Sequence, residues 1–255
     1  MKPGDLCEVY IGADLVVTGF VDATPVKYSG KEAEVGIHGR SKTADLVDCG
    51  AINSPGQWSG RKLEKIAADL AGEYSINVIT EVDTGAAIAD HQIQQGESVF
   101  ESIDRMLRIR HILATDNEKG ELVFIEAGSR RASTALELSK NILSGDAGLD
   151  YKDRYSEYRC KGQRAGDDEE FADAVSEEDA SIDDANITRR RVLVIKQSGQ
   201  ADEGTCRDRV AYEQAHRAAK SLETHYTVQG WRQGTGELWK PNLLVRVKDP
   251  VIGFD

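Results

Sequence analysis

Between Asp5 and Gly39 apolar and polar residues alternate in short runs, CEVYIG, LVVTGFVD and AEVGIHG, with the turn string YSGK before the last. A period of two belongs to strands that bury one face. Val9 and Ile11, and likewise Val35 and Ile37, are therefore expected to face a core, while Tyr10 and Gly36 face away. The segment is predicted to be an up-and-down antiparallel sheet, part of a small barrel. KTADLVDCGAI reads as one helical turn and a loop, and the breaker cluster NSPGQWSG places a boundary near residue 57.

The period then changes. In GRKLEKIAADLAGEY, Leu63, Ile66, Ala67, Leu70 and Tyr74 recur at three and four, which predicts an amphipathic helix over 60–74 with Ser59 as its N-cap. INVITEV at 76–82 reads as a strand. ESVFESIDRMLRIRHI sets Val99, Phe100, Ile103 and Leu107 on a second helical face, and HILATDNEKGELVFIEA closes as a hairpin about NEKG. Residues 58–127 thus form an αβαββ unit. Beyond the polar connector GSRRASTALE, the strand candidates are DRYSEYRCKGQR (153–164) and RRRVLVIKQ (189–197). A helix from about Glu203 to Glu223 offers Ala211, Ala215, Ala218 and Leu222 as its apolar face; YTVQGW, the turn RQGTGE and LWKPNLLVRV follow. The order is β sheet, α/β insert, β sheet, with no internal repeat.

The 255 residues are 40% hydrophobic and 30% charged, an ordinary globular balance. Folding a chain of this length removes roughly 70–75% of its extended surface from water. The longest apolar runs, LLV and VLVI, fall far short of the ~20 residues of a bilayer crossing. The start, MKPGDLCEVYIG, meets an acid at Asp5 before any apolar stretch, unlike a secretory signal. The chain is expected to stay in the cytoplasm, and its sequon at Asn186 to be irrelevant. The net charge of −12 is uneven: residues 167–186 hold ten acids and no Lys or Arg, leaving only −2 for all the rest. A nearly neutral body lacks the basic surplus that nucleic-acid affinity requires. The acidic stretch itself is expected to be a solvated loop joining two strands, and RRR at 189–191 to balance it locally.

Candidate chemistry is sparse. GxSxG, the P-loop, GxGxxG and HExxH strings are all missing. His38, His91, His111, His216 and His225 are scattered, with no pair at i, i+4, so metal ligation would need a tertiary coincidence. His38 is read as a strand-end side chain and His111 as a residue at a helix end. Cys7, Cys49, Cys160 and Cys206 form no CxxC pair and are expected to be buried reduced thiols. The acidic stretch lacks the glycine and terminal Glu of a calcium loop. Trp58, Trp231 and Trp239, at element edges, are expected to anchor core or interface packing. Carboxylates such as Glu101 and Asp104 are the candidates if the chain is a cell-wall hydrolase. The expectation is no enzyme, no cofactor, no metal and no catalytic residue.

Three strings carry a resemblance: GRSKTADLVDCGAINSPGQWSGRKLEKIAADL (39–70), DRYSEYRCKG (153–162) and GELWKPNLLVRV (236–247). They resemble the baseplate hub proteins of contractile-tailed phages, the Mu tail protein P family, related to late control protein D and the VgrG spike proteins. The first string is the most specific, because its KTADL, QW and LE..A.DL segments span a strand end, a loop and a helix. The resemblance implies an α+β fold of two small antiparallel β-barrel-like sheets with an α/β insert. Residues 1–57 would be part of the first barrel, 58–130 the α/β domain, and 131–255 the second barrel-like domain with one long helix and the acidic loop 167–186. It implies a structural, non-enzymatic homotrimer in the virion, assembled in the host cytoplasm. That ring would join tail tube to spike and surround a passage for DNA without binding it specifically, with no membrane anchor. Family strands before Met1 and after Asp255 have no counterpart here, which implies a chain shortened or diverged at its ends. The alternatives are a component of a type VI-like secretion machine and, in the enzyme class, the hydrolase.

Overall fold

The computed structural model describes residues 1–110, 112–128, 130–163, 178–200 and 203–254. The chain divides into two compact units, Met1–Ser129 and Arg130–Asp255. The fold is mixed α/β, mostly strands with four helices among the described residues.

The first unit opens with strands β1 (Leu6–Ile11), β2 (Asp14–Ala23), β3 (Val26–Tyr28), β4 (Ala33–Val35) and β5 (His38–Ser41), then helix α1 (Ala44–Asp48). β2 lies between β1 and β5 in an antiparallel sheet, while β3 and β4 pair only with each other. Gly19 lets β2 and β5 approach, since a Cβ there would sit 1.8 Å from the Arg40 carbonyl oxygen. The expected alternation forms strands, but it does not bury the predicted residues. Val9, Val35 and Ile37 are exposed, as is Tyr10; the buried positions are Thr18, Gly19 and Val21 of the central strand. In a three-stranded sheet only the middle strand has neighbours on both edges. No closed barrel is formed by the described strands, which make open two- and three-stranded sheets.

Next come β6 (Gln57–Arg61), α2 (Leu63–Gly72), β7 (Val78–Thr80), β8 (Ile88–Gln92), α3 (Val99–Arg110), β9 (Leu113–Asp116) and β10 (Leu122–Ile125). β10 is central, parallel to β7 and antiparallel to β9, and both helices pack over this sheet through one core. Leu63, Ile66, Ala67 and Leu70 of α2 meet Val99, Ile103, Met106 and Leu107 of α3, all nearly sealed from solvent. Burying each large aliphatic side chain of this set contributes about 1.5–3 kcal/mol. Leu46 of α1 joins the same core and Ala51 packs on it, so the core reaches further toward the N-terminus than a boundary near residue 57 implies. Ser59 does not cap α2: Lys62 takes the cap position, and Ser59 lies in β6, where its hydroxyl donates to the Ala89 carbonyl at 3.1 Å. The β6–β8 pair arises from two stretches with no clear period, one of them the breaker cluster. Around the β9–β10 turn, Gly120 adopts φ +72°, and a Cβ there would lie 2.9 Å from the Thr18 carbonyl oxygen. The Thr18 hydroxyl donates to the Glu118 carbonyl at 2.8 Å, tying the turn to β2.

The second unit holds β11 (Arg130–Arg131), β12 (Leu136–Glu137), β13 (Ile142–Leu149), β14 (Glu157–Gln163), β15 (Glu178–Asp183), β16 (Val192–Gln200), α4 (Glu203–Lys220), β17 (Leu222–Val228), β18 (Leu243–Leu244) and β19 (Val247–Lys248). β14 is central, antiparallel to β15 and parallel to β16. The expected acidic loop is corrected in part: Glu178–Asp183 is a strand, because its backbone completes the hydrogen-bond ladder on one edge of β14, and Asp184 is buried against Arg154. Residues 167–177 of that stretch lie outside the described residues. Helix α4 covers the sheet with Cys206 and Val210; of the expected face Ala211, Ala215 and Leu222 are exposed and Ala218 is half-buried. The larger side chains cover more apolar surface, and the stripe continues through half-buried Glu213 and Arg217. Leu222 already belongs to β17. β13 and β17 make an antiparallel ribbon in which nearly all of β13 is exposed; the Gly- and Asp-containing ILSGDAGL shows no strand period.

Candidate functional site

The residues proposed for chemistry are scattered and occupied. Glu101 closes a capping box at the start of α3: its Oε2 accepts from the Ser98 amide at 2.7 Å while the Ser98 hydroxyl accepts from the Glu101 amide at 3.2 Å. Asp104 pairs with Arg108 one turn along. Both carboxylates are thus engaged in contacts local to α3. Among the described residues no three His, Cys, Asp or Glu side chains gather as metal ligands would.

The histidines have separate settings. His38 is exposed on edge strand β5, His216 stacks on Tyr212 with centroids 5.7 Å apart, and His225 is exposed 3.7 Å from Glu223. His111 lies outside the described residues. His91 is buried; its Nε2 shares a 2.9 Å hydrogen bond with the Ser102 hydroxyl, and Trp58 packs on its ring. Burial pushes its pKa below the ordinary value, and the Arg105 guanidinium adds to that effect against Glu97 and Asp90. None of the four cysteines is in a disulfide, and only Cys160 and Cys206 are buried; Cys7 and Cys49 are half-buried. Trp58 is a core anchor, its Nε1 donating to Asp69 at 2.8 Å. Trp239 is half-buried, and Trp231, 71% exposed, is no part of a core.

A buried ion pair organises the second unit. Arg154 donates from Nε and Nη2 to Asp184 Oδ2 at 3.0 and 2.6 Å, with side-chain exposures of 8% and 1%. The other carboxylate oxygen accepts from the Asn186 amide and side chain at 3.0 and 3.1 Å. Burial alone would raise the Asp184 pKa, but hydrogen bonds from Arg154 and Asn186 outweigh it and hold the carboxyl below its ordinary range. Nearby, the Arg191 and Arg217 guanidiniums lie over the Tyr155 ring at 4.9 and 5.5 Å. Thirty residues separate Arg154 from Asp184, so nothing local in the sequence announces the pair.

What the surface does present is bare apolar strand. In the β3–β4 hairpin Val26 opposes Val35 and Tyr28 opposes Ala33, while Lys27 opposes Glu34. Directly opposed residues share a face, so the ribbon has one apolar and one charged side. Val26, Tyr28 and Val35 are 62%, 86% and 70% exposed. The alternation VKY…AEV carried this signal in the sequence. The same unit has a cleft of about 310 Å³ lined by Leu46, Val47, Phe100, Ala114 and Leu122, with Arg40, Thr43 and Asp116 among its polar residues. In the second unit Leu143, Leu149 and Trp231 are exposed.

Uncovered apolar strand faces are the surface feature that the described residues offer for contact with other chains. Comparison with known proteins gives the family. The family described as "Baseplate hub protein gp44-like, second domain" matches residues 43–126. "Mu phage baseplate assembly protein GpP-like, N-terminal" matches 1–41, and the GpP fourth domain matches 203–255. The baseplate hub protein gp44 of Escherichia phage Mu is 37% identical over 97% of this chain and 67% of its own length. The 43 kDa tail protein of prophage MuSo2 from Shewanella oneidensis superposes with a TM-score of 0.89 at 32% identity, over all of this chain and 76% of that one. A tail protein from Neisseria meningitidis MC58 shares the fold, with a TM-score of 0.85 at 23% identity over all of this chain and 77% of its own. The chain belongs to the baseplate hub family of Mu-like phage tails.

Proposed function

We propose that the chain is the structural subunit of a trimeric ring at the centre of a phage tail baseplate, joining tail tube to spike around a passage for DNA. The observation that carries this reading is the 37% identity to the Mu baseplate hub protein across nearly the whole chain. The uncovered apolar faces support it, because an isolated two-stranded ribbon with a bare apolar side is marginal in water and gains stability from a partner. Barrel closure in this reading comes from neighbouring copies or from further chain, with β1-β2-β5 and the β13–β17 ribbon contributing strands. The subunit works by geometry and performs no chemistry, which fits the engagement of Glu101 and Asp104 in capping and pairing.

The charge distribution supports a conduit. Outside residues 167–186 the net charge is only −2, and a near-neutral lining lets a polyanion slide where a basic one would hold it. Light scattering over a concentration series tests the ring. The expected mass is three times 27.9 kDa; a strict monomer at high concentration removes the trimer.

A further inference from the structure

The apolar pattern of β15 leaves its alignment with β14 open by two residues. Ala180 and Ile182 pack into the core of the second unit, opposite Cys160 and Tyr158, while Ser181 and Asp183 are exposed. A slip of one residue would turn the apolar pair outward, so the period forbids it; a slip of two keeps the same face inward. A tight turn would settle the choice, but fourteen residues separate Gln163 from Glu178. Moved by two, β15 would set Ile182 opposite Cys160, where isoleucine gives more apolar cover than alanine, and position 184 opposite Tyr158. The return to β16 would still reach. Residues 184–191 would shorten to six, and six residues span the two inter-strand spacings of about 10 Å with length to spare.

The charge at position 184 opposes that slip. The Asp184 amide donates to the Ser156 carbonyl at 3.0 Å, which continues the β14–β15 ladder by one step. There its carboxylate meets Arg154, a residue held from elsewhere: the guanidinium also donates to the Ser221 hydroxyl just past the end of α4 at 3.3 Å and lies 4.7 Å from the Tyr151 ring. The pair therefore ties one residue of β15 to a point fixed outside the strand. Two residues along, the same carboxylate would oppose Tyr158, in the core that Cys206 and Val210 close, with its guanidinium left behind. A buried carboxylate without its cation is strongly disfavoured. The opposite slip would set Glu178 against Cys160, again an acid against the apolar core. Acids at both ends thus bracket the apolar pair.

We infer that the Arg154–Asp184 pair is the register lock of β15: it selects one of the alignments that the apolar period allows and excludes the one shifted by two. The lock sits at the end of β15 away from the connection 164–177, so the alignment does not depend on that connection. Moving the lock moves the strand. In a chain with Asp184→Leu and Asn186→Asp the carboxylate lies two residues further on. The shifted register then brings position 186 opposite Ser156, where it meets Arg154, and gives Tyr158 a leucine for cover. This role is independent of the ring reading given above, and its test needs no partner.

Two disulfide reporters on the outward side of the strands read the register without touching the core. Arg159 opposes Ser181 in the observed alignment and would oppose Asp183 in the shifted one. Directly opposed strand residues lie within disulfide reach. Arg159→Cys is therefore combined with Ser181→Cys in one chain and with Asp183→Cys in another, each with the half-buried thiols removed by Cys7→Ser and Cys49→Ser. After mild oxidation the bridged peptides are quantified by mass spectrometry. With Asp184 and Asn186 in place, the 159–181 bridge should form and the 159–183 bridge should be at least tenfold rarer. With Asp184→Leu and Asn186→Asp the ratio should invert. A folded chain, judged by circular dichroism and a cooperative urea transition, that keeps the 159–181 bridge after the exchange overturns the lock and leaves the pair a stabilising contact only. A chain that fails to fold after the exchange overturns it equally, because the shifted register restores both the ion pair and the apolar cover.

Discussion

Replacing Asp184 by Ala removes the counter-ion of a guanidinium that has almost no water to fall back on. Arg154 would lose both donations to Oδ2 and keep the 3.3 Å bond from Nη1 to the Ser221 hydroxyl and the Tyr151 ring 4.7 Å away, while the two Asn186 donors lose their acceptor. An exposed pair would contribute at most about 1 kcal/mol. Here the stranded charge dominates, and breaking a buried pair from one side costs about 3–5 kcal/mol. Urea unfolding followed by circular dichroism should show that loss with an unchanged slope, and the melting temperature should fall on the order of 10–20 °C. The double variant Arg154→Met with Asp184→Leu should recover most of it, since no charge remains buried. The pH dependence has a defined sign. The folded-state pKa of Asp184 is depressed, so its stabilisation is present above the unfolded value of about 3.9 and is lost as pH falls through the folded value. A cost below about 1 kcal/mol for Asp184→Ala, or a double variant no better than the single, would refute the reasoning.

Two further outcomes follow from the first unit. His91 has its folded pKa below the unfolded value of about 6.5, so the stabilisation from neutral His91 is complete above pH 6.5 and declines as pH falls below it; in melting curves from pH 7.5 to 5, His91→Gln should flatten this slope, and an unchanged slope would assign it to other groups. Ser98→Ala opens the capping box of α3 and should cost about 0.5–2 kcal/mol in urea unfolding; no change would mean that the box contributes nothing to the helix.

Long periodic segments were readable because their partners are local. The α2 stripe, the α3 face and the β9–β10 hairpin each state their buried side within one element, and the structure packs Leu63, Ile66, Leu70, Ile103 and Leu107 as that period demands. Pairings between distant or non-periodic stretches were not readable. β6 with β8 and β13 with β17 join segments about thirty and eighty residues apart, and each lacks a clean alternation. In α4 the period was right and the face was wrong. A run of alanines satisfies the spacing, yet the side that meets the sheet is chosen by Tyr158 and Cys160 across from it, which Cys206 and Val210 cover better.

Read alone, the chain already shows short strands around an α/β segment, acidity concentrated in one stretch, and none of the GxSxG, P-loop, GxGxxG and HExxH strings. Its 39–70, 153–162 and 236–247 strings also point to the hub family. Only the tertiary structure decided which apolar residues are sealed and which remain bare. An alternating strand declares that one face is apolar; it cannot declare whether the cover comes from its own chain. For Leu122 and Phe124 the cover is α2 and α3. Val26, Tyr28 and Val35 have no such cover among the described residues, because burial depends on what reaches a surface in three dimensions and not on the period that created it.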